Sequence, residues 1–163
     1  MKSQVAEIVT IVVLLFVASI SIMVSFSLYS KIYEKKDTFG EAGSEIIESG
    51  AKAYNIWDAV FVLIFTGINA GLIISSFFIR THPIFFILFA LSTAVIYFVV
   101  PMFSNLYTSA VDSFNQTQGI DFAEKYPKMH WIMTNLPTLG AVTLAILLIS
   151  LFAKPLLTGE GGI

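Results

Sequence analysis

The chain of 163 residues contains no cysteine, which excludes disulfides, thiolate metal sites and cysteine nucleophiles. Charge is scarce as well: Asp, Glu, Lys and Arg make up 12% of the residues, about half the share of an average soluble domain. The two histidines, His82 and His130, fall in separate loops, and no phosphate-cradling glycine loop, HExxH or GxSxG occurs. Asp121, Glu124 and His130 lie near one another in sequence but match no metal-ligand spacing. These absences leave catalysis little to work with. The chain reads as a non-enzyme, with no cofactor, no metal and no nucleic-acid partner expected.

What remains is apolar. Hydrophobic residues make up 56% of the chain, and the mean hydropathy is +0.84. Four stretches, 8–29, 59–79, 83–104 and 131–153, contain no Asp, Glu, Lys or Arg. Each reaches the roughly 20 residues that an α-helix needs to cross a bilayer. A soluble helix of this length would show polar residues recurring on its water face, and no such period is visible. Uninterrupted runs also suit helices rather than the alternating strands of a membrane barrel. The expected fold is therefore an all-α polytopic membrane protein, a single domain over 1–163. Four transmembrane helices form two hairpins, with short helical segments in the two longer loops. Its expected place is a cell membrane or the internal membrane of a virion. The first run exceeds the apolar core of a secretory signal, about 7–15 residues, and is expected to be retained.

The stretch FFIRTHPIFF, residues 77–86, fixes the expected topology. Arg80, Thr81 and His82 form a connection of the usual length between antiparallel helices, and Pro83 suits a first helical turn. The two termini and this turn then share one face, while polar caps at 30–58 and 105–130 share the other. Arg80 on the first side, and Tyr29, Trp57, Tyr107 and Trp131 on the second, are the expected interface anchors, because their apolar bodies and polar tips favour headgroup depth. Lysines of the caps are mixed with acidic residues, so charge bias sets no clear orientation.

Neither cap looks disordered. In residues 41–57, Ile46, Ile47, Ala51 and Tyr54 fall on one side of a helix and Glu41, Glu45, Glu48 and Lys52 on another. That segment is expected to lie along the interface or to extend the second span. Tyr107, Val111 and Phe114 recur at helical spacing beyond Pro101, as if the third helix restarts past a kink. Lys35, Lys36, Glu45, Lys52, Asp121 and Lys125 are the expected contacts to partners. Asn115, Gln116 and Thr117 match a glycosylation sequon, which matters only in a secretory-pathway chain.

Inside the second run, Gly67, Gly71 and Ser75 are spaced four apart, the pattern that lets helix backbones approach closely in lipid. Ala141 and Ala145 repeat the spacing in the fourth run. Such faces serve either the chain's own helices or neighbouring copies. Asn69, near mid-span, needs a partner on another helix, and Pro137 predicts a bend at the start of the fourth span.

The leading functional expectation is a non-catalytic structural or assembly protein of a larger membrane particle. It would link the bilayer to the shell of a virion or phage, or act as an accessory subunit of a membrane complex. Its partners would be lipid, other membrane or shell proteins, and copies of itself. A homo-oligomeric pore or holin-like permeabiliser, lined by Thr66, Asn69, Ser75 and Ser76, is the alternative. A small transporter or membrane enzyme around Asp121, Glu124 and His130 stands third.

Overall fold

A computed structural model describes the backbone of residues 2–78 and 83–158 and the side chains of 9–76, 93, 94 and 96–150. Arg80 and the 80–82 turn lie outside the described residues. Every element among the described residues is helical: α1 (Lys2–Tyr33), a 3-10 turn (Lys36–Phe39), α2 (Gly40–Phe78), α3 (Pro83–Gln118), α4 (Phe122–Lys125), α5 (Pro127–Thr134) and α6 (Leu136–Thr158).

The first cap is mostly helix. α1 runs four residues past the expected span end at Tyr29, and α2 already begins at Gly40, so only residues 34–39 connect them. Segment 41–57 carries three alanines and three glutamates, sets Lys52 four residues after Glu48, is free of proline and is periodic at helical spacing, so it extends the apolar run that follows. The two helices are tied where they project. Tyr29 donates its hydroxyl to the carbonyl of Ile47, and Tyr54 donates to that of Ser25 at 3.3 Å. Gly50 permits the approach, since a Cβ there would come within 3.0 Å of the Tyr29 ring.

α3 passes through Pro101 as one helix, without the expected restart. It ends at Gly119, whose φ of 64° suits a left-handed C-terminal residue and whose N–H donates to Asn115 O at 2.9 Å. Asn115 Oδ1 then accepts from Phe122 N at 3.1 Å. The sequon asparagine is thus spent on closing one helix and opening the next.

The bend expected at Pro137 is a 66° corner between α5 and α6. Proline has no N–H, so the carbonyl one turn back, on Met133, loses its helical donor. Ser104 on α3 replaces it: its hydroxyl lies 2.9 Å from Met133 O and 3.1 Å from Thr134 O, in a buried setting.

α1 and α3 each contribute one buried stripe. On α1 it is Val12, Leu15, Ser19, Met23 and Ser27; on α3 it is Ile96, Val100, Ser104, Tyr107 and Val111. The spacings of three and four residues are those of a single helix face. α1 packs on α2 and α3, and α6 packs on the same two; Phe16 meets Phe103 edge-on at 5.2 Å. Two helical stretches, Val9–Tyr33 and Lys36–Ser76, are long and apolar enough to cross a membrane. The bent α5–α6 pair adds a third if it counts as one span.

Ser104→Ala should cost about 1–3 kcal/mol, the usual penalty for stranding buried carbonyls. Ser113→Ala, on the exposed face of the same helix, should cost roughly 0.5 kcal/mol or less. Thermal unfolding of the purified variants in detergent checks the difference.

Candidate functional site at the corner of α5 and α6

Pro127 opens α5, so the first free amides of that helix belong to Lys128 and Met129. The residue before it, Tyr126, gives no side-chain cap. The acceptor comes from another helix. Asp58 on α2, buried, receives Met129 N on Oδ1 at 2.7 Å and Lys128 N on Oδ2 at 3.3 Å. A carboxylate at this position satisfies two orphan donors and sits favourably against the positive end of the helix dipole. The bond spans 71 residues of sequence, and it fastens the second cap to α2.

Around this contact lie three buried polar atoms without a hydrogen-bond partner. Tyr107 and Tyr126 are each 0% exposed, and neither hydroxyl has a hydrogen-bond partner. Nδ1 of His130 is likewise buried and unpartnered, and its ring lies 5.8 Å from that of Tyr107. Burial pushes the Tyr107 phenol up, and the negative charge of Asp58 adds to the effect. Burial also raises Tyr126, followed by the influence of Tyr54 and of Asp58. Both therefore remain neutral hydroxyl donors at physiological pH. Each buried polar group without a partner costs about 1–3 kcal/mol, and the net stability of a whole domain is only about 5–15 kcal/mol.

Chemically the cluster holds a carboxylate, two phenols and an imidazole, but no nucleophile paired with a base. No group of three or more His, Cys, Asp or Glu able to hold a metal is found among the described residues. Asp121, grouped with Glu124 and His130 on sequence, instead caps α4, accepting from Ala123 N at 2.9 Å and Glu124 N at 3.1 Å. His130 has Tyr107 as its ring neighbour, and its backbone N–H donates to Tyr126 O at 2.9 Å.

The other expected residues fall into distinct settings. Tyr107, expected at headgroup depth with its hydroxyl toward water, is a core residue, because it continues the buried stripe of α3. Trp57 and Trp131 are exposed, at 44% and 57%, and Tyr29 is half-buried between α1 and α2. Asn69 finds its partner on α6: Thr143 Oγ1 lies 2.9 Å from Asn69 Oδ1, while Asn69 Nδ2 donates to Phe65 O at 2.8 Å. Ser76 meets Ser150 at 2.6 Å on the same interface. Of the four residues offered as pore lining, Asn69 and Ser76 therefore face α6, while Thr66 and Ser75 are exposed. Beside Asn69 runs a shallow cleft lined by Val12, Phe65, Val100, Gly140 and Thr143, apolar except for the bonded Asn69–Thr143 pair.

Gly67, Gly71 and Ser75 are exposed, and a Cβ built on either glycine would meet nothing within 4 Å. Ala141 and Ala145 are exposed too. Neither small-residue pattern packs closely against the described residues. Among the partner-contact residues, Lys36 pairs with Glu48 at 2.6 Å and sits over the Tyr33 ring. Lys125 covers the Phe26 ring at 5.4 Å. Lys35, Glu45 and Lys52 are exposed.

Sequence reasoning missed Asp58, Tyr126 and Ser104. A signal for each was present. Asp58 is the charge that directly abuts the second apolar run, Pro127 announces a helix start with no capping residue before it, and Pro137 strands a carbonyl that some hydroxyl must reach. Which residues answer these needs depends on tertiary pairing, which periodicity does not encode. The chain matches no protein-family model, no curated protein and no solved structure.

Asp58→Ala should destabilise the chain by about 2 kcal/mol or more, since two buried amides lose their acceptor. Asp58→Asn keeps an oxygen but loses the charge and should fall between. Hydrogen exchange provides the local readout: the Met129 amide should exchange faster in Asp58→Ala, and that of Asn135, bonded to Trp131 O, should change less.

Proposed function

We propose that this chain is a non-catalytic integral membrane protein that serves as an assembly component of a larger membrane particle. Four helices, built from α1, α2, the first part of α3 and α6, cross the bilayer as two hairpins. The α4–α5 segment and the projecting ends of α1 and α2 form a polar cap on one side. The particle is either the membrane of a virion or phage, with the cap meeting the protein shell, or a multi-subunit membrane complex.

The observation that carries this reading is how the polar groups at membrane depth are used. Asn69, Ser76, Ser104, Thr143 and Ser150 all bond within or between the chain's own helices. Groups that would move a proton or an ion need to be ionisable or to face an open path, and these do neither. By contrast, α2 buries only Asp58, Phe61 and Ser76 among residues 40–76. It leaves its glycine face open, flanked by exposed Leu63, Ile64 and Ile74. Small residues at four-residue spacing let a second helix approach closely in lipid, so this face suits a neighbouring subunit or copy.

Gly71→Leu separates folding from assembly. Because a side chain at Gly71 has room, the variant should fold at least as stably as the parent, with Leu favouring helix over Gly by up to about 1 kcal/mol. Its association with neighbours should be lost. Cross-linking mass spectrometry on the intact membrane or particle, scoring Lys35, Lys52 and Lys128, supplies the readout. Links to shell or complex proteins that vanish in Gly71→Leu support assembly through α2. Links only between copies, together with conductance in planar bilayers, would replace this reading with the pore.

A further inference from the structure

The buried groups around Asp58 form a set whose hydrogen-bonding demands complement one another. Tyr107 and Tyr126 each bring a hydroxyl proton to a place with no acceptor assigned, and both are 0% exposed. His130 Nδ1, also unpartnered, lies on the ring that faces Tyr107. Asp58 spends one lone pair of each carboxylate oxygen on the amides of Met129 and Lys128, and an ionised carboxylate offers about four acceptor positions. The group thus holds two donors, two acceptor positions on a charge, and an imidazole nitrogen that acts as either.

A chain of pairwise links connects the four residues. Tyr126 and His130 are successive turns of one segment, since His130 N donates to Tyr126 O at 2.9 Å. Asp58 holds the two amides between them, and its charge acts on both phenols. Leaving three such groups dry would consume a large share of a domain's net stability. A water molecule needs room and two to four polar partners, and these groups offer the partners.

We propose that Asp58, Tyr107, Tyr126 and His130 form an internal hydration site. Ordered water there accepts from the two tyrosine hydroxyls and donates to the remaining lone pairs of Asp58, with His130 Nδ1 completing the network. The ligand is water, bound as a structural part of the corner that joins the second cap to the bundle. The site differs from the Asn69–Thr143 and Ser76–Ser150 contacts, where side chains satisfy one another directly.

The test is X-ray radiolytic labelling of the full chain in lipid nanodiscs in ¹⁸O-water, read by mass spectrometry. Bound water generates hydroxyl radicals in place, so buried residues beside it become labelled. Met129 and Met23 are chemically identical reporters, both 0% exposed; Met129 adjoins the site and Met23 lies on α1. Met129, Tyr107 and Tyr126 should take up ¹⁸O several-fold faster than Met23. Equal, background-level labelling at Met129 and Met23 would overturn the proposal. The Tyr107→Phe/Tyr126→Phe pair gives an independent reading. Its melting temperature should fall below the parent's if water accepts from those hydroxyls, whereas an unchanged or higher value would mean that they are dry and would also overturn it.

Discussion

An amide or carbonyl that leaves its helix inside an apolar bundle must find another protein group, and the path of this chain follows from where that requirement is met. Two prolines create the need. Pro127 starts α5 without a local cap, and Pro137 strands the Met133 carbonyl at the 66° corner. Asp58 from α2 and Ser104 from α3 answer it. The acid supplies acceptors to a helix start and the serine a donor to a helix end, so the short helix α5 is held at both ends by different long helices. The order of the bundle, with α6 against both α2 and α3, places both side chains within reach of the corner.

This division of labour explains which features were legible in the sequence. Properties that depend on a residue's own run were readable: the absence of charge from four stretches, the helical class found throughout the described residues, the bend at Pro137, and the need of Asn69 for a partner. Properties that depend on pairing were not. Tyr107 has the side chain of an interface anchor, yet its register on α3, three residues past Ser104 and four before Val111, puts it in the core. That register was available, but the general preference of tyrosine for membrane boundaries outweighed it. Residues 41–57 left two expectations open, a helix along the interface or an extension of the second span, and the structure has the second, with α2 continuous from Gly40 to Phe78.

Polar groups deep in the bundle and those near the corner are treated differently. Deep contacts such as Ser76–Ser150 and Thr143–Asn69 are closed pairs that also use backbone carbonyls within their own helices. These arrangements need no third party and suit surroundings without water. Near the corner, two tyrosines and a histidine are gathered by packing, and three of their polar atoms have no hydrogen-bond partner among the described residues. The two regimes suit the proposed placement, with the middle of the molecule in hydrocarbon and the α4–α5 end nearer water.

The outer surface completes the physical picture. A lone helix in lipid loses nothing by exposing leucine or isoleucine, so in the proposed bilayer setting the open faces of α1 and α6 would require no partner. The glycines of α2 are a different matter. Each costs helix stability relative to alanine, and neither Gly67 nor Gly71 returns that cost through an unusual backbone angle or close packing against the described residues. Gly50 shows the contrast, because the Tyr29 ring lies close against it. A glycine that stabilises nothing inside its own molecule is accounted for if the close approach it permits is made by another one. The assembly reading of α2 therefore rests on the difference between these glycines more than on the small-residue spacing itself.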